Sequence, residues 1–272
     1  MNCRDLERIM IEGDMGASSV FPPEAEEHLL TCLRCKEIVG ALRMPSGEET
    51  GMSPALTRLA SGLAADISPT RPMAPAGFYL TAFLGIFASI VSFGVFREGT
   101  RALSAMSLLQ ILSILGALGA CAFLLASSLV AQMAPGSLHR FRPEYLPATV
   151  VVTLSVVAGA LFQFGDATRF WVRGWGCLRM GFPFALLAAG PFWVVLRRGA
   201  ILSPRAAGAA AGLLAGLAGT SVLEIHCPNL DLSHILVWHV GVSVLGSLCG
   251  LGAGVVAESL ASSSVELRGL KS

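Results

Sequence analysis

Polar and apolar positions divide the chain in two. The first 77 residues are polar and charged, and from Phe78 onward long apolar runs alternate with short polar breaks. Six stretches, at about 78–96, 107–132, 146–165, 179–196, 206–225 and 235–257, approach or reach the roughly 20 apolar residues that carry a helix across a bilayer core. Backbone groups in lipid must be bonded internally, so such runs predict helices, and neighbouring helices tolerate Pro183 and Pro191 inside the fourth. The expected fold is all-α. It places a small helical domain at 1–67, a Pro-rich linker at 68–77, a six-helix transmembrane bundle at 78–257 and a tail at 258–272. Such a linker is expected to be stiff and extended and to hold the small domain off the membrane.

Composition supports this division. The 272 residues are 54% hydrophobic and 14% charged, with a mean hydropathy of +0.68. Soluble domains carry about a quarter charged residues, and disordered chains lack apolar ones, so both classes are excluded. A net charge of +1 gives no electrostatic footprint for nucleic acid. No basic start followed by an apolar core occurs in the first thirty residues, so no cleavable signal peptide is expected. With the N-terminus in the cytoplasm, Arg140, Arg142, Arg197, Arg198, Arg205, Arg268 and Lys271 fall on the inner side. Arg97, Arg101, Arg169, Arg173 and Arg179 are left outside. The basic excess predicts a multi-pass protein of the inner membrane with both termini cytoplasmic.

Up to residue 120, the Cys and His residues are Cys3, His28, Cys32 and Cys35 alone. Pro22-Pro23 and the acidic Glu24, Glu26 and Glu27 mark a helix start. On that helix 28, 32 and 35 share one face, and Cys3 completes a Cys3His set. Zinc favours thiolates and an imidazole in this number, and a full shell means a structural role. A CxxC pair that oxidises and releases its metal is the redox alternative. A further helix is predicted after Ser53 and Pro54, with Leu56, Leu59, Leu63 and Ile67 as an apolar stripe. The stripe either binds a partner, packs on its own domain or lies on the bilayer surface. The pattern Cys3 … His28-x3-Cys32-x2-Cys35, followed by this helix and by membrane spans, resembles the zinc-associated anti-sigma domain of bacteria. The resemblance covers about 1–67. It implies a domain that binds an ECF-type sigma factor and blocks its access to RNA polymerase.

Within the spans, Gly208, Gly212 and Gly216 repeat at four-residue spacing, as do Gly246, Gly250 and Gly254. Small residues at that spacing predict close packing of the fifth and sixth helices. Cys177, near a loop end, and Cys227, in the loop 224–234, are both expected at the outer surface. There they form a disulfide or offer soft ligands, with His226, His234 and His239 nearby as metal ligands or pH reporters. Cys177, His226, Cys227 and His234 are therefore the candidate periplasmic sensor. Cys121 and Cys249 are expected to be small packing residues. The segments around Cys177, Gly212–Gly216, His226-Cys227-Pro228 and Trp238-His239 are similar to the six-span negative regulators of sigma F, which are membrane anti-sigma factors. In that family the N-terminal part is not usually a zinc module, and here this chain departs from it.

The expected function is a membrane-bound anti-sigma factor that holds an ECF-type sigma factor and releases it on an envelope, metal or redox signal. A transporter with a zinc-binding regulatory domain is one alternative. Few ionisable groups lie in the spans, and Glu224 and His239 fall near span ends, which weighs against it. A thiol-redox protein using Cys177 and Cys227 is the other. No nucleophile motif, phosphate loop or paired-carboxylate site is present, so an enzyme is not expected.

Overall fold

The computed structural model describes residues 3, 5, 6, 22–32, 35, 36, 39, 58, 61, 62, 74–134, 142–165 and 170–269, with side chains to residue 260. Among them the regular structure is entirely helical. The chain forms two compact units, Met1–Arg71 and Pro72–Ser272.

The first unit contains α1 (Pro23–Thr31), which opens with proline and with Glu24 and Glu26 in its first turn. Acidic groups there oppose the positive end of the helix dipole. Among the described residues the buried core is Leu6, Ala25, Cys35 and Val39, with Leu29 and Cys32 against it.

The second unit holds α2 (Ala76–Glu98), α3 (Leu108–Met133), α4 (Leu146–Leu161), α5 (Phe170–Leu196) and α6 (Pro204–His226). The last helix, α7, runs through three consecutive segments, Leu232–His234, Ile235–His239 and Val240–Gly269. Its middle segment is a π turn in which the Val240 N–H donates to the Ile235 carbonyl. All but α4 are long and apolar enough to cross a membrane. The third expected span, 146–165, is shorter than its hydropathy suggests. Its 16 helical residues cover about 24 Å at 1.5 Å each, short of a core about 30 Å thick. The chain turns extended at Phe162, and the Gln163 carbonyl accepts the Leu232 N–H instead. Gln110 fixes this end from the other side. It closes a capping box with Ser107 at the start of α3 and donates to the Leu161 carbonyl at the end of α4.

Two other boundaries move. The fourth span, expected from 179, begins at Phe170, because Phe170, Trp171 and Val172 continue the apolar face past Arg173 and Arg179. Arginines near a helix end extend their heads towards water while their stems cover apolar surface. At the other terminus, α7 remains helical to Gly269, beyond the expected end of the span at 257.

Helix α6 is the axis of the unit. Within its apolar stretch 83% of positions are buried, against 28% or less in the other four long helices. Its alanines and glycines make this possible, since small residues let backbones meet where lipid supplies no hydrophobic drive between helices. A Cβ on Gly208 would lie 2.3 Å from the Gly250 carbonyl oxygen, and one on Gly212 would lie 2.1 Å from that of Gly246. The two glycine triplets therefore face each other, as their spacing predicts. On the α5 side, a Cβ on Gly219 would lie 2.3 Å from the Gly181 oxygen. Arg205 and Glu258 pair across the far end of α6 and α7, with both side chains largely exposed. An exposed pair contributes about 0–1 kcal/mol. Arg205→Ala is accordingly expected to shift the melting curve of the purified protein by no more than that.

Candidate functional site

Two clusters of cysteine and histidine occur among the described residues, one in each unit, and in each the ligand atoms all lie within 4.8 Å of one another.

The first joins Cys3, His28, Cys32 and Cys35. His28 sits on α1, but the helix ends at Thr31 and Cys32 takes an extended conformation, φ −106° and ψ 101°. A helical turn resumes there, with the Lys36 N–H donating to the Cys32 carbonyl. This break differs from the continuous helix that the spacing suggests, and it has a geometric purpose. On an unbroken helix residues 28 and 35 stand about 10 Å apart along the axis, too far to share one ion. Bending at Cys32 folds them together. The Cys3 Sγ lies 3.5 Å from His28 Nε2 and 3.8 Å from Cys32 Sγ. Bond lengths of about 2.3 Å to sulfur and 2.0–2.1 Å to imidazole give a tetrahedron with S···S edges of about 3.8 Å and S···N edges of about 3.6 Å. The four side chains thus fit a closed tetrahedral metal site. Burial, followed by the neighbouring Cys3 and Cys32 thiols, pushes the Cys35 thiol up to about 11. Three thiols this close resist joint ionisation, and a divalent cation at their centre removes that obstacle.

The second cluster gathers Cys177 of α5, Cys227 at the end of α6, and His234 and His239 of α7. Cys177 lies inside α5, two turns from its start, rather than in a loop. Its Sγ is 3.5 Å from that of Cys227, and both are free thiols. His234 Nε2 touches both sulfurs, at 3.3 Å from Cys177 and 3.6 Å from Cys227. The Asp231 side chain accepts from the His234 N–H and caps α7, and its other oxygen accepts from the Gly165 N–H. Burial raises the Asp231 carboxyl, but hydrogen bonds from Ser233, His234 and Gly165 outweigh it and hold the group below the usual carboxylate value.

His226, the remaining member of the expected sensor, is outside this cluster. His239 takes that place, with Glu224 behind it. Glu224 Oε1 lies 2.9 Å from His239 Nδ1, and the two residues are 4% and 1% exposed. On an α-helix, positions 234 and 239 point about 140° apart. The π turn between them widens the helix and brings the two rings to 5.1 Å, which hydropathy and α-helical spacing give no reason to expect. Trp238, next to His239 in the chain, packs against the Phe170 ring at a tilt and the Trp171 ring edge-on, with centroids 5.6 and 5.7 Å away. A Cβ on Gly174 would fall 1.9 Å from the Trp238 ring. Gly174→Ala is expected to displace that indole at a cost of about 1–3 kcal/mol, read as a changed tryptophan emission spectrum and a lower melting temperature.

The other predicted residues are settled more simply. Leu56, Leu59, Leu63 and Ile67 lie outside the described residues. Cys121 is buried in the core as a packing residue, whereas Cys249 is exposed. Cys249 borders an apolar groove of about 270 Å³ with Phe182, Leu186 and Trp193.

Both clusters are therefore able to hold a metal ion. A family model described as negative regulator of sigma F matches residues 63–258. No curated protein and no solved structure matches the chain.

Proposed function

The chain belongs to the family of negative regulators of sigma F, and from that premise we propose that it is an anti-sigma factor of the bacterial inner membrane that sequesters an ECF-type sigma factor. The family is one of regulators rather than enzymes, and a sigma factor is the partner it implies. The match across 63–258 carries this reading.

In the finer reading, Cys3, His28, Cys32 and Cys35 hold a zinc ion that organises the cytoplasmic module. Three thiolates, one imidazole and Zn²⁺ leave no open coordination position, so the ion acts as a fold element and not as a Lewis acid. Leu56, Leu59, Leu63 and Ile67 present the apolar face that covers the sigma factor's polymerase-binding surface. The membrane unit anchors the module with both termini in the cytoplasm, which takes an even number of passes, the short α4 making the sixth beside the five long helices. The outward end of the bundle, with Cys177, His226, Cys227 and His234, receives an envelope, metal or redox signal. What supports this division is the tetrahedral fit of the first cluster and the five helices able to cross a bilayer.

The test is biochemical. The full chain in detergent is mixed with an ECF-type sigma factor of the same organism, and transcription by the reconstituted polymerase is measured. A stable complex and a loss of sigma-dependent transcripts are expected. Failure of both to appear refutes the assignment.

A further inference from the structure

We propose that the membrane unit carries its own resident metal ion, a zinc-type divalent cation bound by Cys177, Cys227, His234 and His239, with Glu224 as the positioning residue behind His239. This site is independent of the sigma factor and of the N-terminal module.

Three observations converge on it. The separations of 3.5 Å between the sulfurs and 3.3 and 3.6 Å from sulfur to His234 Nε2 lie within about 0.3 Å of a tetrahedron's edges at zinc bond lengths. Next, Glu224 explains the state of His239. A carboxylate only accepts, so the His239 Nδ1–H donates to Glu224 Oε1. That leaves Nε2 as the lone-pair nitrogen, and Nε2 is buried without a hydrogen-bond partner. A metal-bound histidine characteristically passes its second N–H to a carboxylate, which fixes the tautomer and raises ligand basicity. Thr220 then holds the backbone at this point by donating to the His239 carbonyl. Finally, the charges suit the place. On binding, the two thiols lose their protons to solvent, and two thiolates with one divalent cation sum to zero. Neutral imidazoles leave that sum unchanged, and the one remaining charge, on the Glu224 carboxylate, is held by the His239 Nδ1–H.

The ligands come from three helices, so the ion joins α5 to the α6–α7 pair at one end of the bundle. Four protein ligands close the shell, and soft thiolates select zinc over magnesium or calcium. Helix α7 meets its obligation only through the π turn, which fits the frequent occurrence of such turns at functional sites.

The experiment counts metal in the full chain purified in detergent. A Cys32→Ser/Cys35→Ser variant removes the N-terminal ligands, so any remaining zinc belongs to the membrane unit. One zinc per chain is expected there, and none after Cys177→Ser/Cys227→Ser is added. In competition with a chelator, Glu224→Gln is expected to weaken zinc binding 10–100-fold, and His239→Ala by at least as much. Circular dichroism and size exclusion establish that each variant is helical and monodisperse. Wild-type protein provides a reading free of substitution, since zinc is expected to shield Cys177 and Cys227 from maleimide and chelation to expose them. The proposal is overturned if the monodisperse Cys32→Ser/Cys35→Ser chain holds no zinc, or if its zinc survives loss of Cys177 and Cys227. Unchanged affinity in both His239→Ala and Glu224→Gln overturns the ligand assignment. None of these readouts depends on sigma-factor binding, so the two proposals fail separately.

Discussion

Exchanging Cys32 for serine is expected to remove one metal ion per chain and to abolish repression of sigma-dependent transcription in the same step. A unit of this length is marginal on burial alone, so a bound ion contributes much to its fold. Leu6, Ala25, Cys35 and Val39 make up its buried core among the described residues, and Cys35 is itself a ligand. In modules of this size the free energy of metal binding is folding free energy, about 10–16 kcal/mol for structural zinc at pH 7. Cys32 also occupies the bend that folds His28 towards Cys35, so its loss removes a ligand where the geometry is least replaceable. Elemental analysis gives the ion count, and in vitro transcription with the sigma factor gives the repression. Cys249→Ser, at an exposed position on α7, is the control and should leave both unchanged. A Cys32→Ser protein that keeps its metal and still represses would sink the zinc-module reading.

The second large effect is expected from Gly250→Leu. A Cβ at Gly250 would lie 2.1 Å from the Gly208 carbonyl oxygen and 2.9 Å from the Gly212 Cα. Both obstacles are backbone, which cannot swing away as a side-chain tip can. Forcing extra volume into a packed contact costs about 1–3 kcal/mol even where side chains adjust. Here α6 and α7 must separate along their whole shared length, so the cost exceeds that range. The variant is expected to lose its monodisperse peak in size exclusion and to be cleared from the membrane in cells. Gly252→Leu lies two residues away on the same helix and has nothing within 4 Å of its added Cβ. It should behave as the wild type. Equal behaviour of the two variants would refute the backbone-to-backbone contact.

How much of this was legible in the sequence depends on the range of the cause. Apolar runs and glycine spacing are repeated signals along one helix, and each is summed over many residues. They located the six helices and the α6–α7 contact. Ligand spacing at 28, 32 and 35 located the first cluster, although the bend at Cys32 lay beyond a rule that counts residues along an ideal helix. Boundaries failed where one long-range bond decides them. Helix α4 stops at Leu161 in part because Leu232, far along the chain, takes the Gln163 carbonyl. Helix α5 starts before its arginines because Phe170 and Trp171 find Trp238. In the second cluster Cys227 and His234 could be named from the loop 224–234, and Cys177 from a loop end expected on the same side. His239 could not be chosen over His226, since that choice rests on a π turn and on Glu224, fifteen positions back. A buried carboxylate and a histidine on adjacent apolar helices was the available signal, because such groups are costly in lipid unless they serve each other.

That π turn also separates two obligations of one helix. Downstream of it, the rotational phase of α7 is set by Gly246, Gly250 and Gly254 against α6. Upstream, the phase is set by His234 and by the Asp231 cap. These phases differ, and the wide turn absorbs the difference within Ile235–His239. Regular α winding of all five residues would turn one half about a quarter turn against the other. A helix wound that way could satisfy its glycine seam or its histidine, but not both at once.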